Sequence, residues 1–412
     1  MLKPGFKFIL ILAAALAFFT CIDPYTPKLS GYTSLLVIDG LITNANNSYS
    51  VKLSRTFQGE SVASTYVSDA SVYISDDNGN KSFLNYKREG IYKTDSLEFT
   101  GKLGRTYVLH VSTTDGGEYE SEPCLMQSVP DIDSIYLEHD QELINSGTET
   151  QQGVRIFLNS KPGENNDYYR WAYEETWKFK VPMPQKFEYL NDSTIPAVDK
   201  VKEYCWKIKK SDNILVRSVP PGQLGPIEKQ PVTFIAPDKS DRFNLQYSIL
   251  VSQYSISKKE YDFWNNMKQI NENSGDLFAK QPFAVISNIH NSNDPKERVL
   301  GYFQVSGVKQ RRKNLSFSQI LELKLPFYNY PCERIEKDPH DLETEWGPKK
   351  TWDDVYSMYC ITSTYYFVEP LYIPGAAHSK STLYKMVFAK PECANCEVTG
   401  ISAKPDFWVD LK

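Results

Sequence analysis

The sequence predicts a mainly-β protein: an N-terminal immunoglobulin-like β-sandwich followed by a larger mainly-β domain with one or two short helices. Three observations carry that expectation. Aromatic and β-branched residues recur in short segments, and 13% of the chain is aromatic, with 27 tyrosines, which suits pleated, half-buried surfaces. Turn formers punctuate those segments at close intervals. No helical period dominates any long stretch, so strands and turns set the class. At 412 residues the chain is long enough for two or three domains with cores of their own.

The opening MLKPGFKFILILAAALAFFTC sets Lys3 and Lys7 before an apolar run from Phe8 to Phe19. Charged then apolar is the layout of an export signal, and the run is too short to span a bilayer. An ordinary signal ends in small residues such as Ala-x-Ala. Here the run ends in Thr20-Cys21, which resembles a bacterial lipobox. In that motif the cysteine becomes the new N-terminus and carries acyl chains, palmitate among them. Residues 1–20 therefore read as a lipoprotein signal peptide and Cys21 as the lipidation site. Each buried methylene contributes about 0.8 kcal/mol, so several chains hold a soluble domain on a membrane. Residues 21–30, with Pro24 and Pro27, read as a tether.

Residues 31–125 read as the immunoglobulin-like sandwich. SLLVIDG is a buried-looking strand that stops at Asp39-Gly40, and YSVKLSRT puts Val51 and Leu53 on one face. In ASVYISDDNGNKSFLNY, Val72 and Ile74 alternate with polar residues, and Asn78-Gly79 is a strong hairpin turn. Further strands follow at the spacing of a β-sandwich. Pro123 and Pro130 break the chain, which places the boundary near 125–131.

Residues 131–412 read as the larger mainly-β domain. Two helices interrupt it. Ser257 and Glu260 form a capping box, and Phe263, Met267 and Ile270 then make a core-facing stripe. A second helix starts at Thr351, with Asp354 three residues on and acids in its first turn.

There are seven cysteines. Assigning Cys21 to lipid leaves Cys124, Cys205, Cys332, Cys360, Cys393 and Cys396, an even number that disulfides require. Cys393-x-x-Cys396 also fits redox exchange, or half of a zinc site completed by Cys332 and Cys360. An exported protein favours structural disulfides. The preferred pairing is Cys332 with Cys360 and Cys393 with Cys396.

Other motifs have plain explanations. His110, His139, His290, His340 and His378 are scattered and form no HExxH or close pair. Asp353 and Asp354 are adjacent on a helix and point apart. Asp76-Asp77-Asn78-Gly79 lacks the distal Glu of a calcium loop and reads as a turn. KQRRKN at 309–314 is a solvated strand end or a membrane-surface or partner contact. Aromatic clusters in YYRWAY, FYNYP and TYYFVEPLYIP suit either a core or an interface. There is no GxSxG, no P-loop and no G-x-G-x-x-G opening a helix. No catalytic residue, metal or cofactor is therefore expected. A net charge of −5 argues against nucleic acid as a main partner.

LVIDGLIT, ASVYISDDNG, YESEP with VPDIDSIY, PFAVISNIHNSNDPKERVLGYFQVS and the closing CANCEVTGISAKPDFW resemble a Bacteroidota lipoprotein family. It is catalogued as domain of unknown function four-two-four-nine. The resemblance spans nearly the whole mature chain, with GYFQVS and the closing motif its most specific parts. It implies an outer-membrane lipoprotein, often encoded beside a TonB-dependent transporter, and it brings no active site. The expectation is a non-enzymatic, lipid-anchored outer-membrane accessory protein that partners such a transporter in ligand capture or nutrient uptake. The alternatives are a cell-surface adhesion or structural module and, behind it, a surface hydrolase hidden in the second domain.

Overall fold

The computed structural model describes residues 34–56, 65–95, 99–144, 147–161, 163, 168–191, 194–219, 225–273, 285–347 and 350–411. Cys21, the signal peptide and the tether lie outside the described residues.

The N-terminal part runs β1 (Leu36–Thr43), β2 (Ser50–Arg55), β3 (Thr65–Tyr66), β4 (Ser71–Asp76), β5 (Lys81–Arg88), β6 (Ile91–Lys93), β7 (Thr106–Ser112), β8 (Glu118–Ser121) and β9 (Cys124–Leu125). The strands alternate because one face is buried: β7 reads intermediate–buried throughout, with Tyr107, Leu109 and Val111 pointing inward. β5 is a corner. Its first half pairs with β4 and its second half with β6, with an irregularity between Tyr86 and Arg88. The sheet folds back there, and the β1–β2 and β4–β7 faces share one core that includes Ile38, Leu53, Ile74 and Val111. The expected hairpin is present: Val72 faces Leu84 across a turn in which Asp76 Oδ1 accepts the Asn78 and Asn80 amides at 3.0 and 2.9 Å. Gly79 supplies the positive φ of 83°.

Residues 31–125 do not complete this sandwich. β17 (Ile289–Asn291) pairs with β8, and β18 (Leu300–Leu315) lies parallel to β1 from Leu300 to Ser306. Both strands arrive from far beyond the expected boundary at 125–131. From Gly307 onward β18 pairs antiparallel with β16 (Gln246–Ser255). One strand thus belongs to both sandwiches.

The second sandwich packs two layers. One contains β10 (Ile132–Ile144), β11 (Glu149–Ser160) and β15 (Ile227–Ile235). The other contains β12 (Tyr168–Lys180), β13 (Tyr204–Lys210), β14 (Leu215–Ser218), β16 and the end of β18. Val154, Ile156, Trp171, Phe179, Ile249 and Val251 meet between them. A third layer, β19 (Ile335–Lys337), β20 (Tyr366–Tyr372) and β21 (Leu383–Ala389), follows. Its core combines Phe367 and Phe388 with Tyr189 from the long loop after β12.

The helical content exceeds one or two elements. Among the described residues there are α1 (Lys258–Asn273), α2 (Phe317–Glu322), α3 (Pro339–Trp346), α4 (Trp352–Tyr356) and α5 (Pro391–Ala394). Thr351 and Asp354 form the expected capping box of α4. At α1 the Ser257 hydroxyl accepts the Glu260 amide at 3.1 Å. The Glu260 side chain, expected to close that box, is instead 2% exposed and packed beneath the helix. Phe263 is buried, while Met267 and Ile270 are half-buried.

Candidate functional site

A cleft of about 350 Å³ opens where the second sandwich meets the C-terminal segments. Trp177 of β12 and Lys207 of β13 come from the sheet, and Lys239, Ser240, Asp241 and Arg242 come from the turn before β16. Tyr328, Tyr330 and Cys332 come from the loop after α2, and Glu392 and Cys393 from α5.

The turn is set locally. Ser240 is extended and accepts the Arg242 amide, starting a short 3-10 turn over Asp241–Phe243. That places two adjacent charges in opposite directions. Asp241 Oδ1 accepts from Trp177 Nε1 at 2.9 Å. Its Oδ2 accepts from Lys207 Nζ at 2.8 Å and from the Tyr330 hydroxyl at 2.9 Å. Arg242 turns inward and grips Glu175, Nε to Oε1 at 2.9 Å and Nη2 to Oε2 at 3.2 Å. Its guanidinium lies 4.7 Å from the Trp177 ring centroid. The Tyr247 hydroxyl donates to Glu175 Oε1 at 2.9 Å.

Glu175 and Asp241 are 2% and 5% exposed, so these hydrogen bonds offset a large desolvation cost. Burial and the neighbouring carboxylates push both Tyr330 and Tyr247 well above the ordinary phenol range. Both remain neutral donors at physiological pH. The cleft floor is a preorganised polar lattice, and Tyr328 and Tyr330, edge to face at 5.1 Å, form one wall.

The disulfides correct the expected pairing. Cys332 is joined to Cys393, and Cys205 to Cys396. The two cysteines of the C-x-x-C face different cores. Cys393, on α5, packs with Val368, Val387 and Ala389, where Cys332 meets it. Cys396 faces the core of the second sandwich beside Cys205 and Phe179. Cys360 carries no disulfide. It sits among Tyr356, Phe367 and Phe388, where burial pushes its thiol up to about 11. Cys124 is also unbridged and half-buried. Its desolvated surroundings push the thiol up to about 12, so it is no thiolate at neutral pH.

The remaining candidates scatter. His110 stacks on Tyr73 at 4.4 Å and meets Ser75 Oγ at 2.9 Å. Burial holds it below the ordinary imidazole range despite Glu120. His378 stacks on Tyr372. His139, His290 and His340 lie in β10, β17 and α3, and no two of these five meet. Asp353 accepts from Tyr189 at 2.5 Å while Asp354 caps α4. The basic run is engaged by its neighbours: Lys309 pairs with Asp131, Arg311 bonds the Ile132 carbonyl, and Arg312 lies over Phe407. Of the aromatic clusters, FYNYP supplies Tyr328 and Tyr330 to the cleft, while Tyr169 and Trp171 of YYRWAY are core. Asp241 and Arg242 were missed. The signal was Ser-Asp-Arg after a strand, whose partners lie dozens of residues away.

The chain matches the model of the family described as domain of unknown function, DUF4249, over residues 22–312. The chain belongs to that family. The match ends within β18, so the closing CANCEVTGISAKPDFW, read above as a specific part of the resemblance, lies beyond it. No curated protein matches the chain. Among solved structures, it is similar to one titled biofilm associated protein, BSP domain, at 8% identity and a TM-score of 0.11. That alignment covers 72% of this chain, and the chain spans 63% of the other's length. A likeness that slight contributes nothing to the reading below.

Proposed function

We propose that this protein is a lipid-anchored outer-membrane accessory protein that holds a small polar ligand in the cleft and works with a TonB-dependent transporter in its uptake. The observation that carries the reading is the cleft itself. Its charged floor is already hydrogen-bonded and one wall is tied by Cys332–Cys393, which suits holding a ligand in fixed geometry. Both lining cysteines are bridged, and both Asp241 oxygens are occupied, so these groups are arranged for binding rather than for nucleophilic attack. Two disulfides suit an oxidising compartment, in keeping with an export signal ending at Cys21. The transporter partner rests on the family resemblance.

Cells expressing the chain and fed an alkyne-bearing fatty acid test the anchor. The full chain is expected to be labelled and membrane-bound, and Cys21→Ser to lose the label and enter the soluble fraction. An unlabelled wild-type protein would overturn the lipid assignment. For the cleft, glycan and peptide arrays are expected to bind the wild type and to lose signal with Tyr328→Ala. Binding that Tyr328→Ala leaves intact would place the ligand elsewhere.

A further inference from the structure

The joint between the two sandwiches holds a second buried acidic site with a different character. β18 changes partner between Ser306, which faces Thr43, and Gly307, which faces Ser255. α1 lies over this crossover and touches both sides. Lys259 pairs with Glu122 at the end of the first sandwich at 2.8 Å. Tyr261 stacks near Tyr168 of β12 at 5.1 Å, and Phe263 packs on Tyr302 of β18 at 4.8 Å. Gly307 leaves no slack, since a Cβ there would stand 2.2 Å from the Gln127 carbonyl oxygen.

Beneath α1 the polar groups are not satisfied. Glu260 Oε1, Trp264 Nε1, Gln304 Oε1, Ser306 Oγ and Arg170 Nε are buried without hydrogen-bond partners among the described residues. The Trp264 indole and Ser306 hydroxyl are near enough to favour a charged Glu260, but neither closes a bond to Oε1 in ordinary geometry. Arg170 is the one cation that lowers its pKa. That guanidinium also acts on Asp39 and lies over the Tyr254 and Trp264 rings at 4.6 and 4.8 Å. An ionised Glu260 is thus under-compensated, and a protonated one needs no counter-charge.

We propose that α1 is a proton-sensitive latch on the joint: it clamps the shared strand β18 when Glu260 is protonated and loosens when Glu260 ionises. Burial pushes the Glu260 carboxyl up to about 7, against the pull of Arg170, so the latch works across neutral pH. Other titratable groups surround this site. Cys124 and Tyr302 are pushed up, out of the range. Glu122 and Lys259 are an exposed pair. Burial also raises the Asp39 carboxyl, which shares Arg170, so comparison with Glu260→Gln, which leaves Asp39 in place, isolates the part that belongs to Glu260. A carboxyl whose folded pKa exceeds its unfolded one contributes stability that is full at low pH and lost as pH rises through the folded value.

The full chain tests this. Relative to Glu260→Gln, the wild-type opening equilibrium is expected to rise about 70-fold between pH 5 and pH 8. Hydrogen exchange of the 258–273 amides, corrected for intrinsic rates, is expected to accelerate in the wild type as pH rises from 5 to about 7 and to level off above, while β12 and β16 stay protected. Parallel pH profiles for the two proteins would overturn the latch. If Glu260→Gln does not fold, the wild-type exchange profile decides: pH-independent protection of α1 overturns it.

Discussion

Glu175 and Glu260 are equally hidden, each 2% exposed, yet they are built to opposite rules. Glu175 has both oxygens on Arg242 and a third bond from Tyr247. Glu260 has an oxygen without a partner and a cation claimed by other groups. The difference follows from where each sits. Glu175 lies within one sheet, where its neighbours on β12, β16 and the Asp241 turn are fixed by pairing. Glu260 lies where a helix covers the crossover between two sheets, and no single layer sets its neighbours. Burial alone therefore predicts neither rigidity nor charge state; the count of aligned donors does.

The largest effect expected from breaking this contrast is at Glu175. Glu175→Ala strands Arg242 and is expected to cost about 3–5 kcal/mol in denaturant titration. A cost below about 1 kcal/mol would mean that the lattice under the cleft is not cooperative. Removing the disulfides comes next, at about 2–5 kcal/mol each. Cys205–Cys396 closes 191 residues and Cys332–Cys393 closes 61, so chain entropy makes loss of the first worse by about 1 kcal/mol. Equal losses in paired Cys→Ala variants would show that loop closure is not the main term. Smaller again is the joint. Gly301 has a φ of 88°, and a Cβ there would meet the Ile38 carbonyl oxygen at 2.0 Å. Gly301→Ala is expected to cost about 2–3 kcal/mol, and Gly79→Ala, with open space around it, about 1 kcal/mol. Comparable melting shifts would contradict the close packing of β1 on β18. Below the Gly301 loss comes Tyr330→Phe, which removes one of three donors to Asp241 and is expected to cost about 1.5 kcal/mol.

What could be read in advance was local. Asn78-Gly79 sets its own turn, and Thr351 with Asp354 caps its own helix, because the physical cause lies within four residues. The mainly-β class came from alternation such as that of Val72 and Ile74. The shared strand could not be read, since GYFQVS gives no sign that its first half lies parallel to a strand some 260 residues earlier. Cys393-x-x-Cys396 misled for the same reason: its spacing invites a local bridge, while the short α5 turns the two sulfurs toward separate cores. The cleft was half legible. FYNYP stood out as an aromatic cluster, but Asp241 acquires its meaning only from Trp177, Lys207 and Tyr330, which arrive from three distant segments.

The central proposal is that this family member works as an anchored partner of an uptake system. Affinity purification of the tagged full chain from the membranes of its native cells under gentle detergent, followed by mass spectrometry, tests it most directly. The account predicts a TonB-dependent transporter in stoichiometric amount. Recovery of the protein alone would contradict it.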